Sequence, residues 1–200
     1  VRTGQALGRD ITLTQLRKDH HAVFLAMGLA GVNALAAEGE DLKGVEDAIA
    51  YIARLRQAPD KSKLPVGRKI VVIGGGNTTI DIAVQTKRLG AEDVTMVYRR
   101  GPEHMSATHH EQEFAQTNGV KIKHWARPVR LIGRDGQVRE IEFEYTRLDS
   151  QGRLSGTGER FTIAADMVFK AIGQAFVADP LDQDARQLLD SKSGRIAVNR

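Results

Sequence analysis

The 200-residue chain contains no cysteine, few aromatic residues and no long apolar run. The absence of cysteine excludes disulfides, thiolate zinc sites, iron–sulfur ligation and thiol nucleophiles within these residues, so any redox role requires a bound cofactor. No stretch approaches the roughly 20 apolar residues of a membrane span, and the first residues lack the apolar core of a secretory signal. We therefore expect a cytoplasmic protein with no membrane partner. Because the sequence begins without methionine, we also expect it to belong to a longer chain.

The formal net charge of +4 is concentrated in the middle of the sequence. Residues 66–132 carry ten Lys and Arg against six Asp and Glu, whereas the flanking segments are nearly balanced. Nucleic-acid binding usually requires a larger basic surface with aromatic stacking residues, and only 5% of this chain is aromatic. The charge pattern therefore predicts a local anion site and no nucleic-acid partner.

The N-terminal third predicts the end of a strand at its start, followed by short helices and a buried strand. Thr12 and Gln15 fit a capping box for a helix over 13–18, and the apolar run at 22–27 predicts a buried strand. The spacing of apolar residues predicts a helix over 45–57. A polar, proline-flanked linker is expected to follow that helix.

The next segment has the pattern of a strand–helix–strand unit. Residues 69–73 (KIVVI) form a continuous apolar run, which is typical of a parallel strand covered on both faces. Glycines interrupt the run, a helix follows until Gly90, and 93–98 is a second apolar strand. A further helix is predicted over 107–117.

Beyond Pro128 the pattern becomes antiparallel. The turn RDGQ separates two strands, and a further strand, MVFKAIG, is predicted at 167–173. A last strand, RIAV, is predicted at 195–198. One hairpin strand alternates apolar residues with polar ones that predict a solvent-facing side, namely Glu140, Glu142, Glu144 and Thr146. The whole pattern predicts an α/β domain at about 66–173, with a parallel sheet, three layers and an antiparallel β-meander.

The candidate binding motif is the glycine run between the first strand and helix of this unit. In a dinucleotide fingerprint, Gly74 makes the tight turn, Gly76 lets the backbone approach a pyrophosphate, and the helix begins near Asn77 with free N–H groups. Thr79 stands where the third glycine of the fingerprint is expected. A glycine turn without a ligand is the alternative interpretation.

The end of the second strand bears on which dinucleotide is bound. An acidic residue about 20 positions beyond the glycines binds the ribose 2′-OH of NAD, whereas arginine suits a 2′-phosphate. Here the strand is followed by Arg99 and Arg100, with no carboxylate before Glu103. This favours NADP(H), with NAD(H) as the alternative. The arginines also fit contacts with adenine or pyrophosphate, or simple solvation at a strand end.

Histidines offer a weaker pattern. His109 and Glu113 are four residues apart on a predicted helix, a spacing that permits a shared metal. Few further ligands are available, so a polar helix face toward solvent or an interface, or a contact with the nicotinamide side of the cofactor, is favoured over a metal. His104 has no partner that the sequence identifies.

The sequence resembles a known family in four motifs and their order: the glycines, the N-T-x-x-D run, YRR, and the M-S-A run before a Glu-containing helix. It is similar to the NAD(P)H-binding domain of flavoproteins that include the glutamate synthase small subunit and dihydropyrimidine dehydrogenase. Within that family it looks most like the electron-input subunit of the bacterial, NAD-dependent dihydropyrimidine dehydrogenases. The resemblance implies a Rossmann-like, three-layer (ββα) FAD/NAD(P)-binding fold and an NAD(P)H-dependent flavoprotein oxidoreductase.

The resemblance also implies roles for segments and residues. Residues 1–35 would belong to the FAD domain and crossover strand, 36–65 to a helix and linker, 66–173 to the NAD(P)H-binding domain, and 174–200 to the return toward the FAD domain. The residues expected to bind or flank the cofactor are Gly74, Gly75, Gly76, Asn77, Thr78, Thr79, Arg99, Arg100, Gly28 and Gly173. No catalytic side chain is expected.

The cofactor pathway implied by the resemblance extends beyond these residues. Hydride would pass from NAD(P)H to FAD, and electrons through iron–sulfur clusters to a catalytic partner subunit, with pyrimidine or glutamate synthase chemistry. FAD and the clusters would lie outside the 200 residues, with the FAD domain in the same full-length chain. A homodimer is also compatible with the sequence. The alternative function is a non-catalytic Rossmann domain that senses or docks a nucleotide.

Overall fold

The computed structural model describes residues 1–191 and 194–197 and divides into two compact units. One unit is Ala34–Gly173; the other combines Val1–Asn33 with the described residues from Gln174 onward. Within the described residues, no helix is long and apolar enough to cross a bilayer. The elements are, in chain order, α1 (Leu13–Asp19), β1 (Gly31–Val32), β2 (Val45–Asp47), α2 (Ala48–Gln57), β3 (Lys69–Ile73), α3 (Asn77–Arg88), β4 (Asp93–Val97), α4 (His109–Thr117), β5 (Lys121–Lys123), β6 (Ala126–Arg134), β7 (Gln137–Leu148), β8 (Leu154–Ala164), β9 (Met167–Lys170), β10 (Gln174–Ala175) and α5 (Gln183–Arg186).

A five-stranded parallel sheet forms the centre of the 34–173 unit. Its strand order is β2-β9-β3-β4-β5, and every neighbouring pair is parallel. Side chains alternate between the two faces of a strand. Ile70 and Val72 pack on one side with the helices, while Val71 and Ile73 pack on the other. The continuous apolar run of β3 is explained by burial on both faces.

Helices α2, α3 and α4 cover one face of this sheet. Their packing forms a core in which the largest buried side chains include Tyr51, Met96 and Phe169. Tyr51 and Phe169 meet edge to face with ring centroids 4.9 Å apart. The N-terminus of α4 is closed by a capping box between Thr108 and Glu111.

The antiparallel meander β6-β7-β8 covers the other face. Its first turn has positive φ at Asp135 and Gly136, 55° and 74°, as a two-residue hairpin turn of type I′ requires. Val138, Ile141 and Phe143 point from β7 into a second core shared with the parallel sheet. The three-layer α/β fold with a parallel sheet and β-meander is therefore confirmed.

One part of the alternating pattern in β7 was predicted wrongly. Glu140, Glu142 and Glu144 are exposed or half-buried, but Thr146 is only 5% exposed. The pairing with β8 shifts register between Glu144 and Thr146, a bulge that breaks the period of two. Thr146 therefore turns into the protein instead of toward solvent.

Two further elements differ from the sequence-based expectations. Residues 22–27 form no strand; Val23, Leu25 and Met27 pack against a small core, but no described segment pairs with their backbone. A continuous apolar run favours burial but does not by itself supply a strand with which the backbone can pair. The helix predicted over 45–57 begins only at Ala48, because its first three residues pair with β9 as strand β2.

The other unit is small and held by a few specific contacts. Asp182 accepts hydrogen bonds from the Thr14 amide (3.0 Å) and, as the cap of α5, from the Ala185 amide (2.8 Å). Leu13, Leu181 and Ala185 form its buried core. The strand predicted at 195–198 is seen as a single bridge from Ile196 to Leu189, and Val198 lies outside the described residues.

Candidate nucleotide-binding site

The carboxyl edge of the parallel sheet brings together the segments that the sequence motifs singled out. Gly74 follows β3, Tyr98 follows β4, His124 follows β5 and Ala171 follows β9. These four strands are neighbours in the sheet and run in the same direction, so the residues that follow them lie along one edge. Open α/β sheets bind ligands outside this edge.

Gly74 makes the turn out of β3 and is closely packed. Its φ is 150°, and its amide donates to the Val97 carbonyl at 3.1 Å. A Cβ at this position would collide with the Ala171 carbonyl and the Thr79 hydroxyl. Thr79 is fully buried and fills this space, so a residue larger than glycine is accommodated at the third fingerprint position because Gly74 has no side chain.

The next two glycines face different surroundings. A Cβ on Gly75 would collide with the ring of Tyr98, whose hydroxyl donates to the His104 carbonyl at 2.7 Å. A Cβ on Gly76 would meet only the Ser106 hydroxyl, at 3.0 Å. Packing therefore requires glycine at position 75, whereas position 76 faces a more yielding neighbour.

The N-terminus of α3 presents unpaired backbone donors. The amides of Gly75, Gly76, Asn77 and Thr78 have no hydrogen-bond partner among the described residues. Gly76 is the N-cap, and its carbonyl accepts from Thr79 at 2.9 Å. The first turn contains no acidic residue that would neutralise the partial positive charge of the helix end. The arrangement is suited to an anion.

Arg99 and Arg100 lie directly beyond β4, with their main chain held by other elements. Arg99 is exposed and Arg100 half-buried. The hydroxyl of Thr146 donates to the Arg99 carbonyl at 2.7 Å, and the Trp125 amide donates to the Arg100 carbonyl at 3.2 Å. Thr146 thus fixes the arginine segment, a role that the sequence did not reveal because the bulge in β7 was not predicted.

His124 is a second residue of this edge that the sequence did not identify. Its Nε2 is buried without a hydrogen-bond partner among the described residues, and so is Nε of Arg100. Burial lowers the pKa of His124 below its ordinary value of 6.5, although the charge of Glu103 opposes this shift. No motif in the sequence signals His124, because its position depends on the pairing of β5 with β4.

The other histidine candidates have simpler surroundings. His104 Nδ1 lies 2.7 Å from the Glu103 carboxylate, so it does have a partner, its own neighbour in the sequence. His109 and Glu113 are exposed on α4. Among the described residues, no group of three or more His, Cys, Asp or Glu side chains is arranged to hold a metal ion.

Gly28 and Gly173 belong to segments other than the glycine run. Gly173 is exposed, has a φ of 103° and ends the 34–173 unit. Gly28 belongs to the other unit, where it is exposed with a φ of 67° and would accommodate a Cβ without contact. Their roles next to a cofactor stay predictions.

One edge of the sheet carries a glycine turn, a helix with free amides and a basic strand end. The comparison with known families agrees with a nucleotide-binding interpretation of this edge. The sequence profile of the pyridine nucleotide-disulphide oxidoreductases matches residues 8–200. The chain belongs to this family. Membership confirms the family resemblance indicated by the motifs and makes the chain part of an oxidoreductase family.

Relatives in the pyridine nucleotide-disulphide oxidoreductase family include subunits of larger enzymes. The chain is 36% identical over 190 residues to the NADPH-Fe(3+) oxidoreductase subunit beta of Geobacter sulfurreducens, covering 89% of this chain and 28% of the relative. It is 31% identical over 182 residues to the NADPH glutamate synthase small chain of Escherichia coli, covering 84% of this chain and 39% of the relative. The chain thus spans well under half the length of both.

A solved structure supports the fold of this family member. FprA, a Mycobacterium tuberculosis oxidoreductase that has been solved in complex with NADPH, matches with a TM-score of 0.72 at 22% identity. The match covers 94% of this chain and 58% of FprA. The Rossmann-like FAD/NAD(P)-binding fold is therefore confirmed, while the closer likeness to dihydropyrimidine dehydrogenase stays a prediction.

Proposed function

We propose that the 34–173 unit binds NAD(P)H, with the pyrophosphate against the amides of Gly75 to Thr78. The observation that carries this proposal is the set of four backbone amides around the start of α3 that are unpaired within the described chain. A dinucleotide pyrophosphate is a compact anion that accepts several hydrogen bonds and interacts favourably with a helix N-terminus. The residues present therefore fit the group that the family is named for.

NADPH is the favoured nucleotide. Arg99 and Arg100 follow β4, where the ribose of a bound dinucleotide is expected, and no carboxylate lies between them and the strand. A guanidinium binds a phosphate monoester with charge-assisted hydrogen bonds. The names of the Geobacter and Escherichia relatives also specify NADPH.

The unit's own contribution to redox chemistry is positioning. The free amides hold the pyrophosphate, the arginines hold the adenosine end, and the buried glycine turn fixes the distance between them. When bound, the reduced nicotinamide supplies a hydride, for which FAD is the proposed acceptor. No side chain of this unit is needed as an acid or base.

Partners of the whole protein follow from the relatives. Because those relatives are named as a subunit and a small chain, we propose that the full protein passes electrons to a partner subunit. FAD and iron–sulfur clusters would be held by regions that the longer relatives contain beyond the matched part. The final electron acceptor, a homodimer and a cytoplasmic location stay predictions.

Titration of the chain with NADP⁺ and NAD⁺, followed by calorimetry, tests the binding proposal. We expect saturable binding of NADP⁺ in the micromolar to millimolar range. If neither nucleotide shows saturable binding at millimolar concentration, the proposal is wrong. Reduction of bound FAD by NADPH in the full-length protein would distinguish an oxidoreductase from a domain that only senses the nucleotide.

Neutralising the arginines tests the choice of nucleotide. Arg99→Gln or Arg100→Gln should weaken NADP⁺ binding by about 10- to 100-fold, the usual effect of losing a charged hydrogen bond, and NAD⁺ binding by less than about threefold. Arg68→Gln is the matched control, since Arg68 precedes β3 at the opposite edge and pairs with Glu92. Equal losses for both nucleotides would refute a 2′-phosphate contact.

A further inference from the structure

His124 lies beside the arginine segment at the carboxyl edge of the sheet. The Tyr98 amide donates to the Lys123 carbonyl at 2.9 Å, and the Trp125 amide donates to the Arg100 carbonyl at 3.2 Å. The two neighbours of His124 in the sequence are therefore both hydrogen-bonded to the segment that follows β4. This fixes the backbone of His124 alongside the proposed adenosine end.

Two side-chain nitrogen atoms in this region lack a hydrogen-bond partner in the part of the chain that the structure describes. Nε2 of His124 and Nε of Arg100 are buried and make no hydrogen bond among the described residues. Most buried polar groups in folded proteins are hydrogen-bonded, so an unpaired one requires an explanation. These two nitrogens lie on adjoining segments of the carboxyl edge, His124 directly after β5 and Arg100 beyond β4.

The charged groups around His124 allow an added anion to change the protonation of its ring. Glu103 is the carboxylate that acts on it, but this group is already paired with His104. Arg99 and Arg100 add positive charge from the segment after β4. The ammonium group of Lys123 lies over the rings of Tyr145 and Phe161, 4.9 and 4.3 Å from their centroids.

Burial disfavours the charged imidazole, so the pKa of unliganded His124 lies below 6.5 and the ring is mainly neutral at pH 7. A neutral imidazole has only one N–H, whereas an imidazolium donates from both nitrogens. A phosphate dianion nearby favours the imidazolium by Coulomb attraction. A ribose hydroxyl carries no charge and provides no comparable drive for protonation.

We propose that His124 is a specificity-determining residue that takes up a proton when the 2′-phosphate of NADPH binds beside Arg100. This inference rests on the proposed function and adds a pH-dependent part to it. The neutral imidazole and a solvent proton become an imidazolium paired with the phosphate, and the proton returns to solvent on dissociation. The preference for NADPH over NADH therefore increases as pH falls toward the ordinary histidine pKa of 6.5.

The test compares adenosine 2′,5′-bisphosphate with 5′-AMP, which differ at the 2′ position. Calorimetry at pH 7.5 in buffers of different ionisation enthalpy measures the protons exchanged on binding. We expect proton uptake with the bisphosphate and none with 5′-AMP. The phosphate monoester itself titrates near pH 6 and releases a proton when it binds as a dianion, so its own contribution has the opposite sign.

His124→Gln keeps a hydrogen-bonding side chain but cannot become charged at these pH values. In this variant we expect the proton uptake to disappear and the preference for the bisphosphate to fall about five- to tenfold at pH 7. His21→Gln is the matched control, because His21 is exposed in the other unit. It should leave both quantities unchanged.

An NMR titration of the unaltered protein gives a second readout that does not depend on the variant folding. After assignment among the six histidines, the titration midpoint of the His124 ring should rise with the bisphosphate and stay unchanged with 5′-AMP. The inference would be overturned if the bisphosphate bound without moving this midpoint and if its proton exchange were the same in His124→Gln. The proposed function would remain intact in that case. Failure of the bisphosphate to bind would overturn the inference alone, whereas failure of NADP⁺ and NAD⁺ to bind would overturn both it and the proposed function.

Discussion

The absence of a side chain has a different physical consequence at each of the three glycines of the loop. Gly74 has a backbone conformation that favours glycine, and its missing Cβ leaves room for the Thr79 hydroxyl. Gly75 lies against the Tyr98 ring, which is fixed by its hydrogen bond to His104. Gly76 has an ordinary extended backbone and faces a flexible hydroxyl. We therefore expect a side chain at position 75 to affect mainly the stability of the fold, and one at position 76 to affect mainly the approach of a ligand.

Alanine substitutions at positions 75 and 76 test this separation. Gly75→Ala should lower the free energy of unfolding by about 1–3 kcal/mol, because the new methyl group forces the Tyr98 ring to move. Gly76→Ala should change stability by less than about 1 kcal/mol, yet weaken NADP⁺ binding at least about tenfold if the backbone approaches the pyrophosphate there. Denaturant unfolding and nucleotide titration measure the two effects. Equal stability losses at both positions would contradict the packing explanation.

At the residue scale, sequence motifs predicted those site residues whose positions are set within one continuous segment. The glycine turn and the two arginines are recognisable because the chemistry of a strand–turn–helix unit lies in one continuous segment. Thr146 and His124 were not predicted, since one reaches Arg99 through a bulge and the other through the pairing of β5 with β4. Both depend on contacts between segments that the sequence pattern does not connect.

An ion cluster joins β9, β2 and the segment before β2 at the carboxyl edge. The Lys170 ammonium lies 2.8 Å from a Glu40 oxygen and 3.0 Å from an Asp47 oxygen. Only 14% of the Lys170 side chain is exposed. Glu40 also accepts hydrogen bonds from the amides of Leu35 and Ala36, at 2.9 and 3.0 Å. One lysine therefore orders the start of the unit against its sheet.

Lys170→Met should lower the free energy of unfolding by about 1–3 kcal/mol at neutral pH, because it leaves two partly buried carboxylates without their cation. Lys121→Met is the matched control: Lys121 makes a 2.8 Å pair with Asp93, but its side chain is 68% exposed. An exposed pair contributes less than about 1 kcal/mol. Urea unfolding of the two variants measures the difference, and equal losses would refute the importance of burial.

The pH dependence of the Lys170→Met effect has a definite sign. Burial alone raises the pKa of Glu40, but hydrogen bonds from Lys170 and the Leu35 amide outweigh it, so the pKa lies below the ordinary 4.5. The stabilisation from this shift is complete above pH 4.5 and is lost as pH falls through the lower folded-state pKa. The gap between wild type and Lys170→Met should therefore shrink below pH 4.5. An unchanged gap at pH 3 would contradict the assignment.

At the scale of elements, burial on both faces made β3 predictable, whereas two other segments were misassigned. Residues 22–27 have the continuous apolar run of a buried strand but no backbone partner in the described chain. Residues 45–47 continue an apolar helical pattern, yet pairing with β9 takes them into the sheet. A strand is defined by its neighbour, and apolar spacing alone contains no information about which neighbour is present.

For the whole molecule, the cores follow the division into two units. Both large cores lie entirely within 34–173, one between the helices and the sheet and one between the sheet and the meander. The small core around Leu13, Leu181 and Ala185 lies entirely in the other unit. Each core is closed by residues of its own unit, which is the condition for a domain that folds by itself.

Excision of residues 34–173 tests this independence. We expect the fragment to unfold cooperatively and to bind NADP⁺ within about threefold of the 200-residue chain, because the glycine loop, the arginines and both supporting cores are retained. Circular dichroism during denaturation and nucleotide titration measure these properties. Phe169→Ala, which removes a fully buried ring packed on Tyr51, should cost about 3–5 kcal/mol in the fragment and in the 200-residue chain alike. A non-cooperative fragment, or a Phe169→Ala cost that differs between the two proteins by more than about 1 kcal/mol, would mean that the core depends on residues outside 34–173.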